Sequence, residues 1–361
     1  MDKMNRHLRV LTVALALAAA LAGCSRAGSD SSPSAAPASQ GPATELRLGY
    51  FPNITHAPAL IGLDKGFFAK ELGNTKLISQ PFNSGPPAVA ALLGGSLDAT
   101  FVGSSPAINA FAQSKGETVR LIAGSTSGGA QLVVQPGITS PEQLKGKTIA
   151  TPELANTQDV AFKKWLKEHN LTVGTGPDQV AVQNLQNPRT LDLFKSGQVA
   201  GGWLPEPWSS RLVDAGASVL VDEKTLWPNG QFPSTVLIVR TDFLRAHPET
   251  VDALLRGEQQ AIDFATNNQA EAKTVTNEAI KRLTNSSLSQ KVLDRAFSEL
   301  SFSSDPLAAS FPQLAKDSVT AGVAPTATEL NGFVDVTELN KVLQAAGKPT
   351  VDAAGLDNTQ R

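Results

Sequence analysis

One cysteine in 361 residues, Cys24, leaves the chain without an intrachain disulfide, a Cys-based metal site or a cysteine nucleophile in its body. Histidine is nearly as scarce. Beyond His7, the residues His56, His169 and His247 stand far apart with no metal-ligand spacing, so no metal or cofactor is expected. Charged residues make up only 18% of the chain, the formal net charge is −2, and there is no basic arm or charge run, which removes nucleic acid as a partner. A Gly-x-Ser-x-Gly elbow is missing too, and hydrolase chemistry has no support. Lys145-Gly146-Lys147-Thr148 imitates the end of a phosphate-binding P-loop. The required upstream glycine is Pro141, however, and the segment leads into a strand, so that reading fails.

What is present begins with a leader. Lys3, Arg6 and Arg9 flank an apolar run, Val10 to Leu21, too short for a comfortable membrane span, and residues 1–23 read as a removable signal peptide. Leu21-Ala22-Gly23-Cys24 resembles a bacterial lipobox, which makes Cys24 the expected lipidation site and membrane anchor. Residues 24–44 are built almost wholly of Ser, Ala, Gly and Pro. They bury nothing and should form a disordered tether with a random-coil span of roughly 25 Å. The remainder, in a chain that is 41% hydrophobic, is long enough for two lobes with a core each.

Gln80 to Gln113 organises that remainder. Ser84 stands at an N-cap position, Pro86 and Pro87 suit a first helical turn, and Gly94-Gly95 ends the helix. A short strand, Asp98 to Val102, runs into Gly103-Ser104-Ser105-Pro106 and a second helix. Two helix N-termini thus open at strand ends, each with unpaired N–H groups and the positive end of a helix dipole, a seat for a small anionic or polar ligand. The pattern returns at Leu191 to Pro205, which suggests two lobes facing one cleft.

Strands alternate with helices along the rest, which argues for a parallel or mixed α/β sheet. Glu45 to Tyr50, Lys76 to Pro81 and Val119 to Ala123 read as strands of lobe one, and Ser125 to Ala130 as a third small-residue loop. Gln131 to Gln135 is expected to leave that lobe and Ser234 to Arg240 to return to it, two crossings that make a hinge. Lobe one therefore spans 45–134 and the helical 234–347, lobe two spans 135–233, and 348–361 is a tail.

This layout resembles the substrate-binding proteins of bacterial ABC importers, in the family that binds aliphatic sulfonates, taurine, nitrate and thiamine precursors. The matching elements are Leu48-Gly49-Tyr50, Gly62-Leu63-Asp64-Lys65-Gly66-Phe67-Phe68, Phe82-Asn83-Ser84-Gly85-Pro86, Gly95-Ser96-Leu97-Asp98-Ala99, Gly103-Ser104-Ser105-Pro106, Leu144-Lys145-Gly146-Lys147 and Trp203-Leu204-Pro205-Glu206-Pro207-Trp208. The chain departs from the family at Ala200-Gly201-Gly202 and between Thr151 and Asp159. The resemblance implies a two-lobed periplasmic-binding-protein-like fold of type II with the ligand between the lobes. It further implies a monomeric, extracytoplasmic, lipid-anchored binder with no catalytic residues, whose partners are an ABC permease and a separate ATPase.

The expected ligand-binding residues are Tyr50, Asn53, His56, Ser84, Gly85, Ser104, Ser105, Gly129, Asn156, Thr157, Gln158, Trp203 and Glu206. Trp203 is assigned as a cleft wall, and Glu206 either meets a ligand ammonium, pairs with Arg211 or bridges the lobes. Cations are scarce in these loops, only His56 and Arg189, which favours a singly charged oxyanion with an organic tail over phosphate. An aliphatic sulfonate is the first choice. Nitrate or bicarbonate, a thiamine-precursor pyrimidine or other flat heterocycle, a solute sensor, and a pyrimidine-synthesis enzyme are the alternatives.

Overall fold

A computed structural model describes residues 39–357. The expected signal peptide, the expected lipidation site Cys24 and most of the expected tether lie outside the described residues. Residues 39–44, expected at the tether's end, are docked: the Gln40 and Ala43 amides donate to Ala246 O and Thr250 Oγ1, and Ala43 is buried.

The chain opens with β1 (Glu45–Tyr50), α1 (Ala57–Asp64), α2 (Phe67–Leu72), β2 (Lys76–Pro81), α3 (Gly85–Leu93), β3 (Ala99–Val102), α4 (Ser104–Gln113) and β4 (Val119–Gly128). It continues through β5 (Ala130–Val134), β6 (Thr148–Thr151), α5 (Thr157–Glu168), β7 (Ala181–Asn184), α6 (Asn187–Lys195), β8 (Gly201–Pro205), α7 (Trp208–Asp214) and β9 (Ser218–Asp222). After β10 (Pro233–Arg240) come α8 (Thr241–Ala246), α9 (Pro248–Asn267), α10 (Gln269–Thr284), α11 (Gln290–Ser298), β11 (Leu300–Phe302), α12 (Phe311–Thr320) and α13 (Thr337–Ala345).

Two mixed sheets result, one of six strands in the order β11-β4-β10-β3-β1-β2 and one of five in the order β7-β6-β8-β5-β9. The lobes repeat one plan. In each, three parallel strands carry helices in their crossovers, and the strand that enters from the other lobe joins antiparallel beside them: β10 on β3 in lobe one, β5 on β8 in lobe two. The alternating helices and strands thus bury each sheet, as the expected α/β class requires.

The crossings are sharper than the sequence suggests. Ser125 to Gly128, expected as a loop, extends β4, because β10 and β11 pair with it on both sides. Gln131 to Val134 belongs to β5 in the second sheet, so lobe one gives way to lobe two at Gly128-Gly129, ahead of the expected boundary at 134. Both glycines are left-handed, with φ of 83° and 72°, and a Cβ on Gly129 would stand 2.1 Å from Leu300 Cδ2. Only glycine turns the chain there without strain. The return is at Pro233, next to the expected Ser234. At the far end Ala353 is buried and the Val334 amide donates to Leu356 O, so this part of the expected tail packs on lobe one.

Candidate functional site

Both lobes point helix starts at the gap between them, because each helix follows a strand whose carboxyl end lies at the cleft. A small cavity of about 30 Å³ lies there. Ser84, the N-cap of α3, and Gly103, the N-cap of α4, line it from lobe one; Asn156, the N-cap of α5, and Asn187, the first residue of α6, line it from lobe two. Neither Ser84 nor Asn156 turns its side chain back on its own helix, so first-turn N–H groups stay available to a ligand. Asn187 Oδ1 and the hydroxyls of Ser104 and Ser105 are buried without a hydrogen-bond partner among the described residues. Such groups cost free energy unless something satisfies them.

His56 forms part of the floor. It is buried and stacked on Phe51 with ring centroids 4.3 Å apart, and its Nδ1 accepts from the Phe51 amide at 3.4 Å. Burial lowers its pKa to about 3, so the ring is neutral and offers Nε2–H as a donor. No Lys or Arg lines the cavity, and Arg189 is not part of it. The wall is therefore a neutral set of hydroxyls, amides and helix dipoles.

The lobes meet around this cavity. Ser84 Oγ donates to Glu153, the Ser105 amide reaches Thr157 Oγ1 at 3.4 Å, and Asn109 Nδ2 reaches Ala155 O at 3.4 Å. Gly103 makes the approach possible, since a Cβ there would lie 2.4 Å from Thr157 Oγ1. On the hinge side Trp208 Nε1 donates to Asn53 Oδ1 at 3.0 Å and the Thr55 amide to Glu206 O at 3.4 Å.

Comparison with known proteins agrees with this architecture. The description of the NMT1-like family matches residues 39–280, more than half of the chain. The chain belongs to the NMT1-like family. A curated relative is the taurine-binding periplasmic protein of Escherichia coli, 33% identical over 202 residues; the match covers 55% of this chain and 60% of that protein's length. The nitrate-binding protein NrtA of Synechocystis superposes with a TM-score of 0.72 at 17% identity, covering 85% of this chain and 90% of NrtA. The alkanesulfonate-binding protein SsuA of Xanthomonas axonopodis, solved with MOPS, gives 0.66 at 18% identity over 81% of this chain and 98% of SsuA. These likenesses establish the periplasmic-binding-protein fold for this NMT1-like chain.

Of the expected ligand-binding residues, Asn53, His56, Ser84, Asn156, Thr157 and Gln158 line the cavity together. Gly85 sits just behind Ser84, packed toward Pro106, and Ser104 and Ser105 open α4 beside it. Gly129 serves the crossing. Tyr50 does not reach the cavity: it is buried in the core of lobe one, and burial raises its pKa.

Trp203 is not a cleft wall. It is fully buried in the core of lobe two, against Phe162 and Trp165, and its Nε1 donates to Glu223 Oε2 at 2.6 Å. Burial pushes the Glu223 carboxyl up to about 7, although Trp203 donates to it. Along a strand successive side chains alternate, so Trp203 faces α5 while Leu204 packs into the core on the other side of the sheet, and the cavity is met only at the end of β8, by Pro205. Glu206 bridges the lobes. It is fully buried, accepts from Arg295 Nη1 on α11 at 3.0 Å and from the Ser210 amide at 3.1 Å, and burial raises its pKa despite these partners. Arg211 instead lies 4.6 Å over the Trp208 ring.

Sequence reasoning left Phe51, Thr55, Asn83, Gly103, Pro152, Asn187, Pro205 and Ser234 out of the lining. Asn187-Pro188 carries the same helix-opening signal as Ser84 to Pro86 and was there to be read. Thr55 and Ser234 carry no comparable local signal.

Proposed function

We propose that this chain is the extracytoplasmic solute-binding component of an ABC importer, closing its lobes on an aliphatic sulfonate or a similar small organic anion. The observation that carries the reading is the convergence of the starts of α3, α4, α5 and α6 on one small neutral cavity. Four helix starts supply N–H donors and partial positive charge without a formal cation, which matches a singly charged oxyanion head better than phosphate. Membership of the NMT1-like family and the relatives named for taurine, alkanesulfonate and nitrate support the same class of ligand. The chain acts as a monomer tethered through a lipid on Cys24, carries no catalytic step, and hands its solute to a permease driven by a separate ATPase.

A second reading has an observation in its favour. With Trp203 withdrawn into the core, no tryptophan lines the cavity, and about 30 Å³ suits a small inorganic anion such as nitrate. Native mass spectrometry of the purified protein, followed by thermal shifts with ethanesulfonate, longer alkanesulfonates, nitrate, bicarbonate and a pyrimidine, separates the two. Alkanesulfonates are expected to raise the melting temperature most, since a ligand that binds only the folded state adds about 2.7 kcal/mol at a hundredfold excess over its Kd. A shift with nitrate and none with any sulfonate would transfer the assignment to inorganic anions; a shift with the pyrimidine alone would reject the anion reading.

A further inference from the structure

We propose that the groove between α6, α7 and the start of α11 is a second ligand site, outside the cleft and spanning both lobes, which takes a small monocarboxylate with an apolar tail. It does not depend on what the cleft binds.

The groove holds about 250 Å³, against about 30 Å³ in the cleft. Lobe two contributes Lys195 of α6 and Arg211 of α7, and lobe one contributes Ser287 from the α10–α11 loop. Leu191, Leu288 and Val292, all buried, give it an apolar side. Asp214 also lines the groove, but Lys291 already holds it at 3.0 Å, an ion pair that joins the lobes.

Arg211 is the residue that calls for a ligand. It is half-buried, its guanidinium lies 4.6 Å over the Trp208 ring, and among the described residues no hydrogen bond or ion pair reaches it. Burial lowers its pKa, and the carboxylate of Asp192 offsets this only in part. Arg295, one turn along α11 from Val292, shows the contrast: its guanidinium is taken up by Glu206, Ser210 and Gln131.

A guanidinium with free donors beside an apolar wall suits a carboxylate, which accepts two parallel N–H bonds and leaves its tail on the wall. With Asp214 counted the lining carries one net positive charge, which matches a monoanion, whereas a phosphate dianion would also face Asp214 and Asp192. The start of α11 is not the seat, since Ser289 already accepts from the Val292 amide at 3.3 Å. Trp208, stacked under Arg211 and bonded through Nε1 to Asn53 at 3.0 Å, is a built-in reporter of occupancy.

Amide and indole nuclear magnetic resonance spectra of isotope-labelled protein, titrated with hexanoate, hexylamine and inorganic phosphate, test this. Hexanoate is expected to move the Trp208 indole signal and the amides of Ser287, Leu288 and Val292, and the other two compounds to leave them in place. Arg211→Gln should weaken hexanoate about tenfold or more. Lys195→Gln, at an exposed position that the fold does not need, should weaken it about twofold to fivefold. Hexanoate that moves none of these signals, or only the amides of Ser84, Asn156 and Thr157 in the cleft, would overturn the proposal. Phosphate or hexylamine moving the same signals as strongly would overturn it too, as would hexanoate affinity unchanged in both variants.

Discussion

The two sides of the cleft are held together by different chemistry. On the hinge side Arg295 of lobe one reaches into lobe two, donating to Glu206 at 3.0 Å, to Ser210 Oγ at 2.7 Å and to Gln131 Oε1 at 2.5 Å, while Lys224 pairs with Glu299 at 2.8 Å. At the mouth the lobes touch through Ser84 and Glu153, one long amide contact to Thr157 and one to Ala155. A buried charge network is expensive to break, whereas three single hydrogen bonds, two of them long, are cheap to exchange for water. The difference assigns the hinge side to permanent structure and the mouth to ligand-dependent closure, a division of labour suited to domain closure about two short crossings.

The largest effect should come from Arg295→Ala. It leaves Glu206 buried without its cation, which costs about 3 to 5 kcal/mol, and urea unfolding should show a lower midpoint for the variant. A loss no larger than that of an exposed ion pair would mean that the hinge network is not permanent.

The cavity floor gives the next effect. His56 has a pKa near 3 in the folded chain against 6.5 for the free side chain. Between those values the unfolded chain binds a proton that the folded chain refuses, so this contribution to stability is complete above pH 6.5 and declines as pH falls toward 3. The slope is about 1.4 kcal/mol per pH unit within that window. His56→Gln should lose that slope in denaturant titrations across the window, and an unchanged difference between variant and wild type at every pH would place a charged or exposed His56 in the cleft.

The smallest change in stability belongs to the mouth. Thr157→Ala should cost the ligand-free protein about 1 kcal/mol or less, yet weaken ligand by about 1 to 3 kcal/mol if a buried charge is left short of a partner. Unfolding curves and titration calorimetry on one sample would show the split; equal losses in both would erase the distinction between the two sides.

The mouth was the more legible side in the sequence. Helix starts are local signals, so Ser84, Asn156 and Thr157 were identified from a few flanking residues, as was the α/β alternation of the fold. The hinge side depends on partners distant in the chain. Nothing near Glu206 announces Arg295, and nothing within Gly201 to Pro205 states which side of β8 faces α5, so Trp203 was assigned to the wrong face. Tyr50 went the same way at the end of β1, where it packs into the core of lobe one. The crossing at Gly128-Gly129 was displaced because hydroxyl-rich Ser125 to Ser127 reads as a loop until β10 and β11 are seen on either side.

The claim that a solute closes the mouth while the hinge side stays formed is tested most directly by spin-label distances. In a Cys24→Ser background, which removes the chain's one cysteine, Gln80→Cys and Leu154→Cys place labels on exposed positions of the two lobes at the mouth. The account predicts a broad, longer distance distribution in protein stripped of solute and a single shorter one once calorimetry shows saturation with a sulfonate. An identical distribution before and after saturation would contradict it.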